Sequence, residues 1–531
     1  MPKSCKRPAI AALAAAAALL AACGGASDPS TGGTAAPDAG RPPAPTGPAP
    51  AEVSIALRND VDSFDPHKSA GDSGPKQLFD AIYDTLVRAP ADGSAAAVEP
   101  ALAASWKTTP TSATFRLKPR LSCGDGSPLR ASGVARSLQR IADPRTGAAY
   151  ASRVFGPGGA KRIAGDDRSR TVTIELNQPY TYLLQGLTFA YVVCPSGLAN
   201  AAQLESKPAE TGPYVVSSLR RGTSYVLTRR DDPAVEQLEQ MPERLELRVV
   251  TDDTTRANLV ETGDLDVASI LGPDAKRLVA EREPIVGAAF LADALLFNQA
   301  PGHPGTDPRL RKALMSAVDA ASYARAATFD IGRPIATEYT PNMACHDDEN
   351  GSLTPGFDLE RAKRELRAAG YGPGGRPLTL RVLGWDAMNA GPEYLADALR
   401  AAGVDVKVTK GTLTQALPVL FESGAWDVMG YTFQTSNPIP SALTSQISGK
   451  LGETLNFGHV RNAEYDRLAR QASATQDPQR RCELERRAET ALLTRADIKP
   501  LVWSAADWFT DGLTFAANYY FVDTRTIRAA G

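Results

Sequence analysis

The sequence predicts an α/β protein built in lobes, and three observations carry that prediction. From Asp358 onward, segments of helical period alternate with segments of strand period, a pattern that packs helices on a largely parallel sheet. Between Leu245 and Val267 the chain reads strand, helix, strand, with Gly263 where the end of a helix wants glycine. The chain has 531 residues, 43% hydrophobic and 22% charged, which exceeds one small domain and suffices for a large core split into lobes.

The first residues are a leader rather than part of the body. Lys3, Lys6 and Arg7 precede an uninterrupted Ala/Leu run from Ile10 to Leu20 that is too short to span a bilayer, so residues 1–22 read as a secretory signal peptide. Leu20-Ala21-Ala22-Cys23, followed by Gly24-Gly25, resembles the bacterial lipobox, in which the cysteine is lipidated and becomes the new N-terminus. A second acyl group on Cys23 would make the anchor stable, since each buried methylene contributes about 0.8 kcal/mol and one chain alone is marginal. Residues 23–52 are mostly Gly, Ala, Ser, Thr and Pro without apolar periodicity and read as a tether. Such a segment reaches roughly 30 Å as a coil and about 90 Å if its prolines hold it extended.

Charge and cysteine content narrow the function. With 58 basic against 60 acidic residues and no Lys/Arg cluster interleaved with aromatics, nucleic acid is not an expected partner. No other run approaches the apolar length of a membrane span, so contact with the membrane is expected through the lipid anchor only. Cys5 leaves with the signal and Cys23 is taken by lipid, which leaves Cys123, Cys194, Cys345 and Cys482. In an oxidising compartment this even number implies two disulfides, with three pairings open. Proximity in the chain and the division into two halves favour Cys123–Cys194 and Cys345–Cys482. None has the close spacing of a zinc site.

In chain order, Glu52 to Leu57 alternates as a first strand and Ser63-Phe64-Asp65-Pro66-His67 turns. Gln77 to Val87 is predicted as a helix from Leu78, Ile82 and Leu86. A strand with Phe115 and Leu117 inward leads through the turn Gly124-Asp125-Gly126 to a helix after Ser132. Thr254 to Glu261 is a helix, and Asp307 caps another with Pro308 in its first turn and Leu310, Leu314 and Val318 as its buried stripe. Asp358 caps a helix with Leu359, Ala362 and Leu366 inward. Strands through Leu378–Val382, Val404–Val408 and Asp427–Phe433 alternate with helices over Pro392–Ala402 and Thr412–Glu422. Two long helices, Ala463–Ala474 and Pro478–Arg495, precede Pro500–Trp503, expected as the strand that returns to the first lobe, where Tyr519-Tyr520-Phe521 would pack.

Several of these residues form a known pattern. Tyr83, Leu86, Pro100, Leu102, Ala103, Ser105, Trp106, Phe115, Leu117, Asp125, Gly126, Pro128 and Leu129 stand in order where a helix ending Tyr-x-x-Leu, Pro-x-Leu-Ala-x-Ser-Trp, a Phe-x-Leu strand and Asp-Gly-x-Pro-Leu would place them. Thr211-Gly212-Pro213-Tyr214, Leu296-Phe297-Asn298 and Asp307 to Leu314 continue it. The chain thus resembles the family 5 extracellular solute-binding proteins, the dipeptide and oligopeptide receptors of ABC importers. The resemblance implies a periplasmic-binding-protein-like two-lobed fold, type II and cluster C, with a small subdomain inserted in the first lobe. The expected boundaries are 53–292 for the first lobe, with the subdomain at about 85–210, then 293–499 for the second lobe and 500–531 for the return.

Ligands of open sheets bind in the crevice beyond the carboxyl ends of strands. By resemblance, Ser69-Ala70-Gly71-Asp72 falls where peptide receptors offer backbone groups to the ligand main chain, by strand addition that reads backbone without reading sequence. The same residues also fit a polar turn. Tyr431-Thr432-Phe433-Gln434 falls where such receptors carry Trp-x-Ala-Asp, whose aspartate pairs with the peptide α-ammonium. Gln434 stands at the aspartate position, and a neutral amide forfeits a charge-assisted bond roughly twice as strong as a neutral one. Either another carboxylate such as Asp72 serves, or the ligand is not an ordinary peptide with a free N-terminus. Tyr431 and Phe433 equally read as core strand residues. Trp385-Asp386, just beyond a strand end, offers an aromatic wall and a carboxylate, while Trp503 and Trp508 read as packing.

The expected function is capture of peptides or peptide-like solutes by a non-enzymatic, monomeric receptor on the extracytoplasmic face of the membrane. Permease and ATPase subunits would be separate chains, since no spanning helix and no Gly-x-x-x-x-Gly-Lys loop occurs. No cofactor or metal is expected; His346-Asp347-Asp348-Glu349 reads as a solvated acidic loop. One rival is a non-peptide solute: an oligosaccharide, metal chelate or secondary metabolite. Another is an exported serine hydrolase, because Gly71-Asp72-Ser73-Gly74-Pro75 resembles the trypsin-like nucleophile motif. There the His and Asp precede the serine, an order this chain has no room for.

Overall fold

The computed structural model describes residues 47–530 apart from 70–72, 91–97, 149, 232–237, 288–290, 373, 374, 435–438, 452, 453 and 518–520. The first lobe is organised on a seven-stranded sheet in the order Ile285–Val286, Asp507–Thr510, Val267–Ile270, Glu52–Leu57, Arg244–Val249, Ser224–Arg229, Tyr214–Arg220. Its central strand, Glu52–Leu57, is the one the alternation predicts, with parallel neighbours on both sides. The helix Asp253–Thr262 starts where the Asp252 carboxylate accepts from the Thr255 N–H at 2.7 Å, and it ends at Gly263, whose φ of 77° is the left-handed conformation glycine adopts at least cost.

Between two strands of that sheet the chain builds a four-stranded antiparallel sheet, Ala103–Thr109, Ser112–Leu117, Thr171–Leu176 and Ala160–Asp166. Phe115 and Leu117 face inward with Val172, Ile174 and Leu176, against the helix Ala131–Ala142. Cys123 and Cys194 are disulfide-bonded, as are Cys345 and Cys482 in the second lobe, the pairing that chain proximity favours.

The predicted helix over Gln77–Val87 differs. The structure has Ser73–Ile82, after which the Asp84 N–H donates to Thr211 Oγ1 at 3.0 Å and Val87–Arg88 pairs with Glu99–Pro100. Leu78, Ile82 and Leu86 are all buried, so the four-residue spacing is real, but tertiary hydrogen bonds capture the last turn into an extended segment.

The second lobe holds a six-stranded sheet in the order Arg333–Pro334, Ile498–Ser504, Leu291–Phe297, Val428–Gln434, Thr379–Trp385, Asp405–Gly411. One face covers a core with Leu295, Phe297, Tyr323 and Val382, and the other a core with Ala294, Leu296, Met429, Tyr431 and Phe433. The sheet is mixed rather than largely parallel, since Thr379–Trp385 alone pairs parallel, with both neighbours. A strand that enters from the hinge must run away from it, and so lies antiparallel to strands that rise toward it. A second correction concerns Pro500–Trp503, which belongs to Ile498–Ser504 of this sheet; the chain returns to the first lobe with Asp507–Thr510. Pro500 is accommodated because the register shifts between Asp293 and Ala294 opposite it, where a missing N–H disturbs the ladder least. No helix among the described residues is long and apolar enough to cross a membrane.

Candidate functional site

The chain leaves the first-lobe sheet after Val286 and returns to it at Asp507, and the two passages meet where the Gly287 N–H donates to the Ala506 carbonyl at 2.9 Å. Each crossing starts and ends at the carboxyl ends of the parallel strands. In the first lobe Asp507 pairs with Ile270, the last residue of its strand; in the second, Leu291 pairs with Gln434, the last of its own. The carboxyl ends of both sheets therefore lie at the connection between the lobes, the side on which open sheets place ligands.

On the first-lobe side the loop after Glu52–Leu57 is built on a buried charge pair. Arg140 forks onto both oxygens of Asp65, at 2.8 and 2.5 Å. Arginine only donates, so His67 Nδ1 accepts from Arg140 Nη1 at 2.7 Å, its proton sits on Nε2, and Nε2–H donates to the Tyr191 carbonyl at 2.8 Å. Burial, aided by the Arg140 charge, pushes His67 down to about 4. Burial alone would raise Asp65, but the Arg140 hydrogen bonds and charge outweigh it and hold the carboxyl below its ordinary value. Ser69 follows this cluster, its N–H donating to the Asp65 carbonyl at 3.2 Å. A Cβ at Gly74 would lie 2.0 Å from the Asn59 carbonyl oxygen, so glycine there lets the next helix close on the loop. Ala70, Gly71 and Asp72 lie outside the described residues, as does Cys23.

On the second-lobe side, Tyr431 and Phe433 point into the core, their rings edge to face at 4.8 Å. Thr432 points to the other face, opposite Asp293 in register. The Gln434 backbone ends the strand, and its side chain lies outside the described residues. Trp385 ends Thr379–Trp385 half-buried and packs on the same core as Tyr431, while Asp386 is exposed. The structure thus sets Thr432, Gln434 and Trp385 at one edge of the sheet and turns Tyr431 and Phe433 away from Thr432. Trp508 is buried, and Trp503 is stacked by Arg333 at 5.4 Å.

Sequence reasoning missed Asp293. It lies on Leu291–Phe297, diagonal to Gln434, half-buried, with Thr432 and the Tyr323 hydroxyl (3.4 Å) as hydrogen-bond partners. Burial pushes its carboxyl up to about 6, with no cation among the described residues to draw it back. The signal was an acidic residue inside an otherwise apolar strand, Leu291-Ala292-Asp293-Ala294-Leu295.

Other features stand apart from the crevice. A cavity of about 500 Å³ lined by Phe421, Leu451, His459 and Arg461 lies toward the opposite end of the second-lobe sheet, where His303 and Asp427 meet. Among the described residues no three His, Cys, Asp or Glu side chains gather around a possible metal position.

Residues 97–453 match the model of the bacterial extracellular solute-binding proteins, family 5. The oligopeptide-binding protein OppA of Mycobacterium tuberculosis is 24% identical over 405 residues, 70% of this chain and 66% of that protein's length. Among solved structures, a substrate binding protein from Microbacterium hydrocarbonoxydans, complexed with 4-hydroxybenzoate hydrazide, superposes with a TM-score of 0.73 at 25% identity, covering 90% of this chain and 100% of its own. NikA from Brucella suis, in complex with Fe(III)-EDTA, gives 0.76 at 22% identity over 90% and 99%. These are binding proteins of the type II periplasmic fold, and this chain is a member of the family 5 bacterial extracellular solute-binding proteins.

Proposed function

We propose that the chain captures a peptide or peptide-like solute between its lobes and hands it to the permease of an ABC importer, with the ATPase subunits on separate chains. The observation that supports this reading is that the chain passes between the two sheets only near Gly287 and Ala506 among the described residues, a narrow connection suited to a hinge beside the carboxyl ends of both sheets. A solute that contacts both lobes binds the closed form more tightly than the open one and shifts the population by that difference. Removal of residues 1–22, lipidation of Cys23 and a tether up to Glu52 would hold the receptor outside the cell beside its permease.

Asp293 is the carboxylate we assign to a ligand cation, in place of the aspartate that Gln434 replaces. With no cation beside it among the described residues, its negative charge is available, and a bound ammonium would bring the raised carboxyl back into its ionised form. Gln434 also favours a second reading, a solute without a peptide α-amine. Native mass spectrometry of the purified protein separates the two. A peptide carried through purification supports the first reading; a saturable non-peptide adduct supports the second and overturns the first.

A further inference from the structure

The inserted subdomain does more than cover the first lobe: it reaches the second. The Thr181 N–H donates to the Ser473 carbonyl at 2.9 Å, the Tyr182 hydroxyl donates to Glu485 Oε1 at 2.7 Å, and the Arg481 guanidinium stacks on the Tyr182 ring at 5.4 Å. Ile439 and Ala442 of the second lobe complete the seam by joining the first lobe's apolar cluster. We propose that the Tyr182–Glu485 hydrogen bond is a proton-dependent latch that ties the subdomain to the second lobe and biases the crevice toward its closed form.

The proton dependence follows from what surrounds Glu485. Its other oxygen accepts from Tyr339 at 3.1 Å, and two more buried carboxylates stand beside it. Glu489 accepts from the Glu338 N–H and from Asn350, each at 2.6 Å, and His346 stands nearby. Glu338 accepts from Tyr465 at 3.1 Å through one oxygen, while its second oxygen has no partner. Arg481, from the same helix as Glu485 and Glu489, is the cation facing Glu485. Three carboxylates and so little positive charge in one buried cluster cannot all ionise, so the cluster holds protons as a unit.

Burial is the largest influence on Glu485 and outweighs the two tyrosine hydrogen bonds, pushing it up to about 7. Opening the seam returns water to this group and lets it ionise more easily, so closure takes up a proton. The sign is then fixed: the latch is strongest at acidic pH and weakens as pH rises through about 7. A single linked proton changes the closing equilibrium by at most about tenfold per pH unit.

The inference rests on the lobes opening and closing, and its test needs no ligand, so its failure is distinguishable from failure of the peptide reading. Hydrogen exchange of the Thr181 amide, corrected for intrinsic rate, would be followed with small-angle scattering at pH 6 and pH 8.5. In the natural protein, Thr181 protection should fall and the radius of gyration rise at the higher pH. Glu485→Gln, which holds a neutral group in place, should remove that dependence. Tyr182→Phe should open the seam at both values, by on the order of tenfold in protection, and it carries the test if the glutamine variant does not fold. Amide protection in Ser112–Leu117 reports that a variant is folded. An equal pH response in natural protein and Glu485→Gln, or an unchanged seam in folded Tyr182→Phe, overturns the latch.

Discussion

Two carboxylates near the ligand-facing ends of the two sheets meet opposite fates. Asp65, in the loop after the first lobe's central strand, is gripped by Arg140 and held ionised. Asp293, on the first strand of the second lobe, has a threonine, a tyrosine and no described cation. A charge answered within the protein fixes a loop and has nothing left to offer a solute. One left unanswered is a standing cost in the empty protein that a bound cation can relieve. The difference fits Asp65 to architecture and supports the proposal that Asp293 serves recognition.

The largest effect should come from breaking the answered pair. Arg140→Met strands a buried Asp65 and removes the donor to His67, and should cost about 3 kcal/mol in urea denaturation. A loss under about 1 kcal/mol would mean that the loop is held by something else. Acid probes the same cluster. His67 sits at about 4 in the folded protein, below its ordinary value of 6.5, so the unfolded chain binds the extra proton between those limits. Its contribution is complete above pH 6.5 and drains away as pH falls toward 4, by roughly 3 kcal/mol. Denaturation midpoints measured across that range should fall, and His67→Gln should flatten the slope.

Asp293→Asn should act in the opposite sense. Its raised carboxyl means that the folded state binds the proton more tightly, so stability is present below the unfolded value of 3.8 and lost as pH rises through about 6. Asparagine removes that loss and should stabilise the empty protein at pH 7 by about 1 kcal/mol, discounted for the water that reaches a half-buried group. It should also weaken amine-bearing solutes by roughly tenfold relative to their N-acetyl forms in calorimetry. Equal weakening of both forms would move Asp293 out of recognition.

How much of this was legible in the chain depended on whether the information was local. Caps and stripes read directly: Asp307 caps its helix through the Arg309 N–H, and Leu310, Leu314 and Val318 are buried as their spacing requires. The disulfides read as well, because each half held one pair. The end of the helix at Ile82 did not, because Thr211, far along the chain, captures the Asp84 N–H. Nor did the sheet position of Pro500–Trp503, which is decided by pairing with Leu291–Phe297, far earlier in the chain. At the site, strand alternation gives the opposite faces of Thr432 and of Tyr431 and Phe433, whereas Arg140, Asp293 and the Tyr182–Glu485 seam are meetings of distant segments that no local pattern announces.

The smallest expected effect falls on the residue that raised the question. If Gln434 faces the ligand amine, Gln434→Asp restores a carboxylate there and should tighten free-amine peptides by about 1 kcal/mol, with N-acetyl peptides unchanged. In the natural protein Asp293 is assigned that amine, so the two changes should not add. Asp293→Asn combined with Gln434→Asp should recover most of what Asp293→Asn alone loses, because one amine accepts one close carboxylate. Independent, additive effects in calorimetry would place the two residues against different parts of the solute, and the relocated charge would then serve a second cation rather than the first.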